Sequence, residues 1–328
     1  MHAIIPVAGF GTRLRPHTFS RPKVLLNVAG KPILGHILDQ LIAAGVTSAT
    51  IVVGYMGETV ETFVREAYPG FSVNFVVQEP LLGLGHSIWV ARESIPSDGS
   101  PLFIMLGDTI FGVDLAPVFT LKTSALGVHE VDDPQRFGIA EVEGGVITHL
   151  VEKPEHPATN LAVVGLYFFR NPPLLRSCLE TLIANNIRTR NEYQLTDALQ
   201  MMIERGEHFA TFPVQEWYDC GKPETLLETN RHLLNKSTRP IPVHPQTVIN
   251  PPVFIGEGAV LTNCVIGPYA TIGPGATVEH SIVRDSIIGD RARIDQVLLE
   301  SSIIGNDAIV KSAFHRMSAG DYAEVHLH

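Results

Sequence analysis

Cysteine is scarce. Cys178, Cys220 and Cys264 stand far apart, with no Cys-x-x-Cys among them. That spacing offers no zinc site and suits a reducing compartment. The fourteen histidines contain no His-Glu-x-x-His or similar ligand spacing, which excludes the helical metalloprotease motif. Long apolar runs are missing too: none reaches the roughly 20 residues of a membrane-spanning helix. The chain opens on a short strand-like run rather than a signal peptide. The expectation is therefore a cytoplasmic protein with no membrane partner. Basic residues are the minority, 24 Lys and Arg against 34 Asp and Glu, for a net charge of −10. That balance argues against nucleic acid as the partner. The remainder is an ordinary globular composition, 45% hydrophobic and 18% charged, in a chain of 328 residues. This length allows a sizeable core and two domains.

One further absence is local. No Asp or Glu precedes Asp39, while Arg13, Arg15, Arg21, Lys23 and Lys31 all do. The cations follow a buried-strand pattern, Ala3-Ile-Ile, and a loop Pro6-Val-Ala-Gly-Phe-Gly-Thr-Arg-Leu-Arg-Pro16. Gly9 and Gly11 allow the backbone to come close to a ligand, and inward N–H groups in such a loop form an anion nest. A cationic, glycine-loosened opening on an acidic chain implies a polyphosphate site. Two phosphate motifs are excluded: Leu14 stands where a dinucleotide fold has its third glycine, and no Gly-Lys-Ser/Thr ending of a P-loop is present.

GFGTRLRP, followed by RPK and GKPIL, resembles the signature of the sugar-1-phosphate nucleotidylyltransferases. Many members carry a double glycine where this chain has Ala8-Gly9. The resemblance implies an α/β fold: a Rossmann-like nucleotidyltransferase domain with a mostly parallel sheet, followed by a short left-handed parallel β-helix. It also implies a reaction that joins a sugar 1-phosphate to a nucleoside triphosphate and releases pyrophosphate. Ala8, Gly9, Gly11, Thr12 and Arg13 are then nucleotide-binding residues.

The chain after the loop alternates in period. Residues 32–45 read as a helix with Ile33, Leu34, Ile37, Leu38, Leu41 and Ile42 inward. Residues 49–53 and 73–77 read as strands, with a helix over about 58–68 that turns Val60, Phe63, Val64 and Ala67 inward. This β-α-β-α-β order predicts parallel strands covered by helices. Gln78 ends the last of them, before Gly83, Gly85 and a helix over 88–94. A glutamine amide can pair with a base edge; by resemblance Gln78 and Gly83 contact the nucleobase. Residues 101–107 form a buried strand ending at Asp108, which places a carboxylate where parallel sheets bind ligands. Residues 125–170 read as strands with a hairpin at Gly144-Gly145. Within and beyond them, Phe137, Gly138, Glu152, Lys153, Val164, Glu192 and Trp217 match the family's sugar-phosphate pocket. Trp217-Tyr-Asp219-Cys-Gly matches its second metal-binding segment, so Asp108 and Asp219 are expected to meet around one Mg²⁺. Arg13, Lys23, Asp108, Lys153 and Asp219 are the expected catalytic set.

The period then changes again. Ser237 to Pro245 is proline-rich and reads as a linker. After it Ile255-Gly256, Ile266-Gly267, Ile272-Gly273, Ile288-Gly289 and Ile304-Gly305 recur, with Val260, Val278, Ile282 and Ile294 between. The step of about six residues is the hexapeptide repeat of a β-helix, in which each of these aliphatic residues is expected to point into the narrow core. About three to four coils fit, near the minimum for stable stacking. The expected division is 1–236 catalytic, 237–250 linker, 251–315 β-helix and 316–328 tail. His280 and His315 read as surface residues. The expected partners are a nucleoside triphosphate, dTTP or UTP first, and a sugar 1-phosphate, glucose 1-phosphate first. A homo-oligomer is also expected. A mannose-1-phosphate guanylyltransferase, a non-catalytic nucleotide-sugar sensor, and a bifunctional enzyme with acyltransferase activity are the alternatives.

Overall fold

The computed structural model describes residues 1–240 and 243–312. The expected tail, His315, the end of the β-helix span and two linker residues lie outside the described residues. Two compact units are present: Met1–Asn27 with Lys31–Thr229, and Val28–Gly30 with the chain from Asn230 onward.

The first unit begins with β1 (His2–Pro6), α1 (Ile33–Ala43), β2 (Ser48–Val53), α2 (Gly57–Ala67) and β3 (Ser72–Val77). It continues with α3 (Leu84–Val90), β4 (Leu102–Met105), β5 (Thr109–Gly112), β6 (Ser124–Glu130), β7 (Gly138–Glu143), β8 (Val146–Glu152) and β9 (Leu161–Phe169). Then come α4 (Pro172–Ala184), α5 (Leu195–Glu204), β10 (Phe209–Pro213), β11 (Glu216–Asp219) and α6 (Pro223–Lys236), whose residues from Asn230 belong to the second unit. Nine of the strands form one sheet in the order β3-β2-β1-β4-β9-β6-β10-β8-β7.

Strands β3, β2, β1 and β4 are parallel, with Ile4 opposite both Thr50 and Ile104. Beyond β4 the sheet is mixed: β9 runs antiparallel to β4 and β6, β10 parallel to β6, and β8 antiparallel to β10 and β7. Connection length sets the direction among β1, β2 and β3 and between β7 and β8. A crossover helix returns a strand in parallel, whereas the two-residue turn Gly144-Gly145 permits only antiparallel neighbours. Helix α1 buries Ile33, Leu34, Ile37, Leu38 and Leu41, but Ile42 is 39% exposed. Ile42 lies one position past the edge of the apolar stripe. In α2, Val60 and Val64 are buried, Phe63 is half-buried and Ala67 is exposed. Helix α3 starts at Leu84, four residues earlier than its pattern predicts. Phe103, Phe168, Phe169 and Phe209 are fully buried in the core, each worth about 1.5–3 kcal/mol relative to exposure.

The second unit is the β-helix. Three four-stranded parallel sheets are built from three-residue and two-residue strands between Thr247 and Lys311. Successive coils stack in register: Val253 on Ala270, Thr271 on Ile287, Ile287 on Ile303. Ile266, Ile272, Val278, Ile288 and Ile294 fill the interior. Val260 and Ile282, expected inward, are instead 52% and 39% exposed; their neighbours Leu261 and Val283 point in. The Ile-Gly glycines make room for the next coil: a Cβ on Gly273 would come within 2.6 Å of the Asp290 nitrogen. Several corners are made by non-glycine residues in the left-handed region, among them Asn263, His280, Asp285 and Arg291. His280 sits at such a corner with its side chain 47% exposed.

Candidate functional site

The chain leaves β1 at Pro6 and passes over the carboxyl ends of the parallel strands. The Val7 amide still donates to the Val52 carbonyl at 2.8 Å. Gly11 takes φ 63°, and its carbonyl accepts from the Thr18 hydroxyl at 2.9 Å. Among the short 3-10 turns that follow are Thr12–Leu14 and Lys23–Leu25. The first leaves Thr12 and Arg13 exposed. The second drives Lys23 into the protein, where it is 8% exposed.

Lys23 Nζ donates to Asp108 Oδ2 at 2.7 Å and lies 3.9 Å from Asp219 Oδ1. Asp108 and Asp219 are distant in sequence, and a small ribbon brings them together. Strands β5 and β11 pair antiparallel, with Thr109 opposite Asp219. The Cys220 amide donates to the Asp108 carbonyl at 3.1 Å. Burial would raise the Asp108 pKa, but the Lys23 charge and hydrogen bond outweigh it and hold the carboxyl below its ordinary value. Burial pushes the Cys220 thiol up to about 12, so it stays protonated and inert. Arg13 reaches the same place. A Cβ on Gly221 would lie 2.6 Å from Arg13 Nη2 and 2.8 Å from Asp219 Oδ1.

The donor set fits a hard divalent cation. Two carboxylates converge on one ammonium, so the locus already accommodates positive charge. Mg²⁺ is commonly held by one or two carboxylates together with substrate phosphates. No group of three or more His, Cys, Asp or Glu with that capacity occurs among the described residues.

Beside this cluster lies a cavity of about 390 Å³. Ala8, Gly9, Lys23, Gln78, Gly83 and Asp108 line it. Gln78 is 5% exposed, and its Nε2 donates to the Gly83 carbonyl at 3.0 Å. Gly83 adopts φ 105° and ψ 175°, a region open essentially to glycine alone. A Cβ there would also come within 2.7 Å of the Tyr193 carbonyl. Glu192, expected with the sugar-phosphate residues, lines this cavity as well. Gly11, Thr12 and Arg13 do not line it.

A second cluster gathers Phe137, Gly138, Glu152, Lys153 and Trp217. Glu152 Oε1 lies 3.0 Å from Lys153 Nζ, and Glu152 Oε2 accepts from the Thr196 hydroxyl at 2.7 Å. The Glu152 side chain is only 10% exposed, so this is not a solvated surface pair. Lys153 has φ 45° and is held by its amide on the Phe137 carbonyl at 2.9 Å. Trp217 meets Phe137 edge-on at 5.1 Å. Val164, in the buried middle of β9, precedes Gly165, whose carbonyl accepts from the Leu106 amide at 3.0 Å.

Sequence reasoning missed Thr196, His86 and Ser87. Thr196 follows Glu192 by four residues and His86 follows Gly83 by three. Nothing in the local pattern marks Ser87; its exposure to the cavity arises from where α3 begins.

Comparison with known proteins places these features. The family model described as "Nucleotidyl transferase" matches residues 2–236. The low-salt glycan biosynthesis nucleotidyltransferase Agl11 of Haloferax volcanii is 32% identical, over 95% of this chain and 94% of that protein. A glucose-1-phosphate thymidylyltransferase of Streptomyces griseus is 32% identical, over 100% of this chain and 99% of the relative. Among solved structures, a UDP-glucose pyrophosphorylase complexed with UDP-glucose is 26% identical with a TM-score of 0.61, covering 72% of this chain and 99% of that one.

Proposed function

The chain belongs to the nucleotidyl transferase family, and we propose that it transfers a nucleotidyl group from dTTP or UTP to glucose 1-phosphate, releasing pyrophosphate, with Mg²⁺ as cofactor. Its first unit has the Rossmann-like nucleotidyltransferase fold, followed by a left-handed β-helix. The observation that carries the reading is the meeting of Lys23 with Asp108 and Asp219 beside the cavity of Gln78 and Gly83. The names of the relatives, thymidylyl- and uridylyltransferases of glucose 1-phosphate, support the substrate pair.

The sugar-phosphate oxygen is already an anion, so no strong base is required. It attacks the α-phosphorus, and the bond to pyrophosphate breaks. The difficulty is to bring two polyanions together, which fixed cations accomplish by positioning and charge stabilisation. Lys23 takes the α-phosphate, Arg13 the leaving pyrophosphate and Lys153 the phosphate of the sugar. Glu152 accepts sugar hydroxyls, with Phe137, Gly138, Val164, Glu192 and Trp217 around it. Ala8, Gly9, Gly11 and Thr12 follow the triphosphate, and Gln78 with Gly83 meets the base. Asp108 and Asp219 would hold Mg²⁺, which neutralises phosphate charge when bound. Residues 1–236 carry this chemistry, and the β-helix, whose first stacked strand is Thr247–Ile249 within the expected 237–250 linker, serves assembly or regulation.

The test is pyrophosphate release from each of five triphosphates against glucose, mannose, galactose and N-acetylglucosamine 1-phosphates. Release confined to dTTP or UTP with glucose 1-phosphate supports the reading. Release with GTP and mannose 1-phosphate replaces the substrate pair. Nucleotide-sugar binding without release in any combination replaces the enzyme with a sensor.

A further inference from the structure

The Gln78 amide has two N–H donors and one carbonyl oxygen. Both donors are used inside the protein. One faces the Gly83 carbonyl at 3.0 Å, and the same nitrogen lies 3.2 Å from His86 Nδ1. The Gly83 carbonyl can only accept, which fixes the end of the amide that faces it. His86 Nδ1 can take the second N–H only as the unprotonated ring nitrogen. The imidazole is 6% exposed and stacks on Trp89 at 5.6 Å and Tyr193 at 6.3 Å. Burial, with a smaller contribution from Arg188, lowers its pKa and keeps it neutral.

Gln78 therefore has only its Oε1, an acceptor, left for the cavity it lines. Ser87 lines the same cavity. It is 3% exposed, and its Oγ has no hydrogen-bond partner in the protein. A buried hydroxyl without a partner is costly, and a ligand in the cavity would supply one. The cavity thus offers a fixed acceptor and a hydroxyl able to donate.

We propose that Ser87 is a base-contacting residue and His86 a positioning residue. Together with Gln78 they read a ring N–H beside a carbonyl, the imide edge of uracil or thymine. The base N–H donates to Gln78 Oε1, and the neighbouring base carbonyl accepts from Ser87. Cytosine presents the reverse pattern, a ring acceptor beside an amino group, and meets Gln78 lone pair to lone pair. This assignment rests on the reading of the cavity as the nucleotide end of the site.

Calorimetric binding of UTP, N3-methyl-UTP and CTP to the full chain tests it, separately from turnover. Wild type is expected to bind UTP at least roughly tenfold more tightly than the other two. Ser87→Ala should weaken UTP by about five- to tenfold and leave CTP unchanged. His86→Leu should bring the UTP:CTP ratio near one, while His86→Asn, whose Oδ1 can stand in for Nδ1, should restore it. Equal affinity of wild type for UTP and CTP overturns the proposal, as does binding of none of the three. A UTP:CTP ratio unmoved in Ser87→Ala also overturns it, and that variant does not depend on His86→Leu folding. Pyrophosphate release with UTP or dTTP alongside an unmoved ratio defeats this inference alone. Release confined to other triphosphates defeats the reading on which it rests.

Discussion

Lys23 and Asp108 show how one contact can serve a fold and a reaction. The ammonium is buried, and the carboxylate beside it is kept ionised below the usual carboxylate range. Asp108→Asn keeps the size and an acceptor oxygen for Lys23 but removes the charge. Turnover should fall by about a thousandfold or more, with the fold retained and the thermal midpoint lowered by loss of the ion pair, as steady-state rates and a circular-dichroism melt would show. Unchanged turnover would remove Asp108 from the site. Gly83 makes a different demand. At φ 105°, with the Tyr193 carbonyl in the way, Gly83→Ala should cost about 1–3 kcal/mol and raise KM for the triphosphate. A denaturant titration and an initial-rate series check both. Asp108, Gln78 and Gly83 stand out in sequence as strand ends and a glycine turn, and Lys23 as one of a local run of cations; their roles at the site are what the resemblance implies. Ser87 does not stand out, because an unpartnered hydroxyl becomes visible only once its neighbours are in place.

At the scale of elements, the site depends on pairing that no local pattern announces. The sequence predicts that Asp108 and Asp219 meet, by resemblance alone; the physical cause is the β5–β11 ribbon with Thr109 opposite Asp219. The six-residue step predicts the β-helix, yet it sets Val260 and Ile282 inward where both are exposed. Val260-Leu261 and Ile282-Val283 each set two apolar residues side by side in a three-residue strand. Alternation cannot choose between them; stacking on the next coil does. Asn230 supports the second unit in a similarly non-local way. It is fully buried, its Oδ1 accepts from the Ala29 amide at 2.9 Å and the Thr271 hydroxyl at 2.7 Å, and its Nδ2 donates to the Tyr269 carbonyl at 3.1 Å. Asn230→Ala leaves one buried and two part-buried groups without that partner and should cost about 2–4 kcal/mol, measurable by urea unfolding. Asp285 gives a pH signature. Burial would raise its pKa, but hydrogen bonds from Arg231 and Ser301 and the Arg231 charge lower it overall. A depressed folded pKa contributes stability above the unfolded value, near about 3.9, which is lost as pH falls through the folded one. Asp285→Asn should therefore be less stable than wild type by up to about 1 kcal/mol at neutral pH, and the gap should close in acid. A gap that persists at about pH 2 would assign the effect to packing.

At the scale of the whole molecule, the outer surface of the β-helix decides the question of assembly. A solenoid of few coils has a narrow core, so the residues on its outer faces weigh heavily in how it behaves in water. On one face Val248, Val265, Ile282 and Leu298 stand opposite one another through successive coils. Val248 is 57%, Ile282 39% and Leu298 67% exposed. Single exposed apolar side chains need no explanation, but a stacked row of them is a contiguous strip. Charge spaced by coil borders it: Arg284 pairs with Glu300 two residues along the same strands as Ile282 and Leu298, and Arg291 pairs with Asp307, each sixteen residues apart. Such pairs keep neighbouring surface soluble and leave the strip as the place where a second copy would gain most from burial. The expected homo-oligomer should therefore form through this strip. Sedimentation velocity of the full chain should show a species larger than the monomer. Ile282→Lys combined with Leu298→Lys should shift it to the monomer, with the circular-dichroism spectrum and pyrophosphate release per chain retained. Substitution at outward-facing positions spares the interior of the helix, so loss of folding is not the expected route to a monomer. A wild-type chain that sediments as a monomer at all concentrations would contradict the expectation, and an oligomer unmoved by the double variant would place the interface on another face.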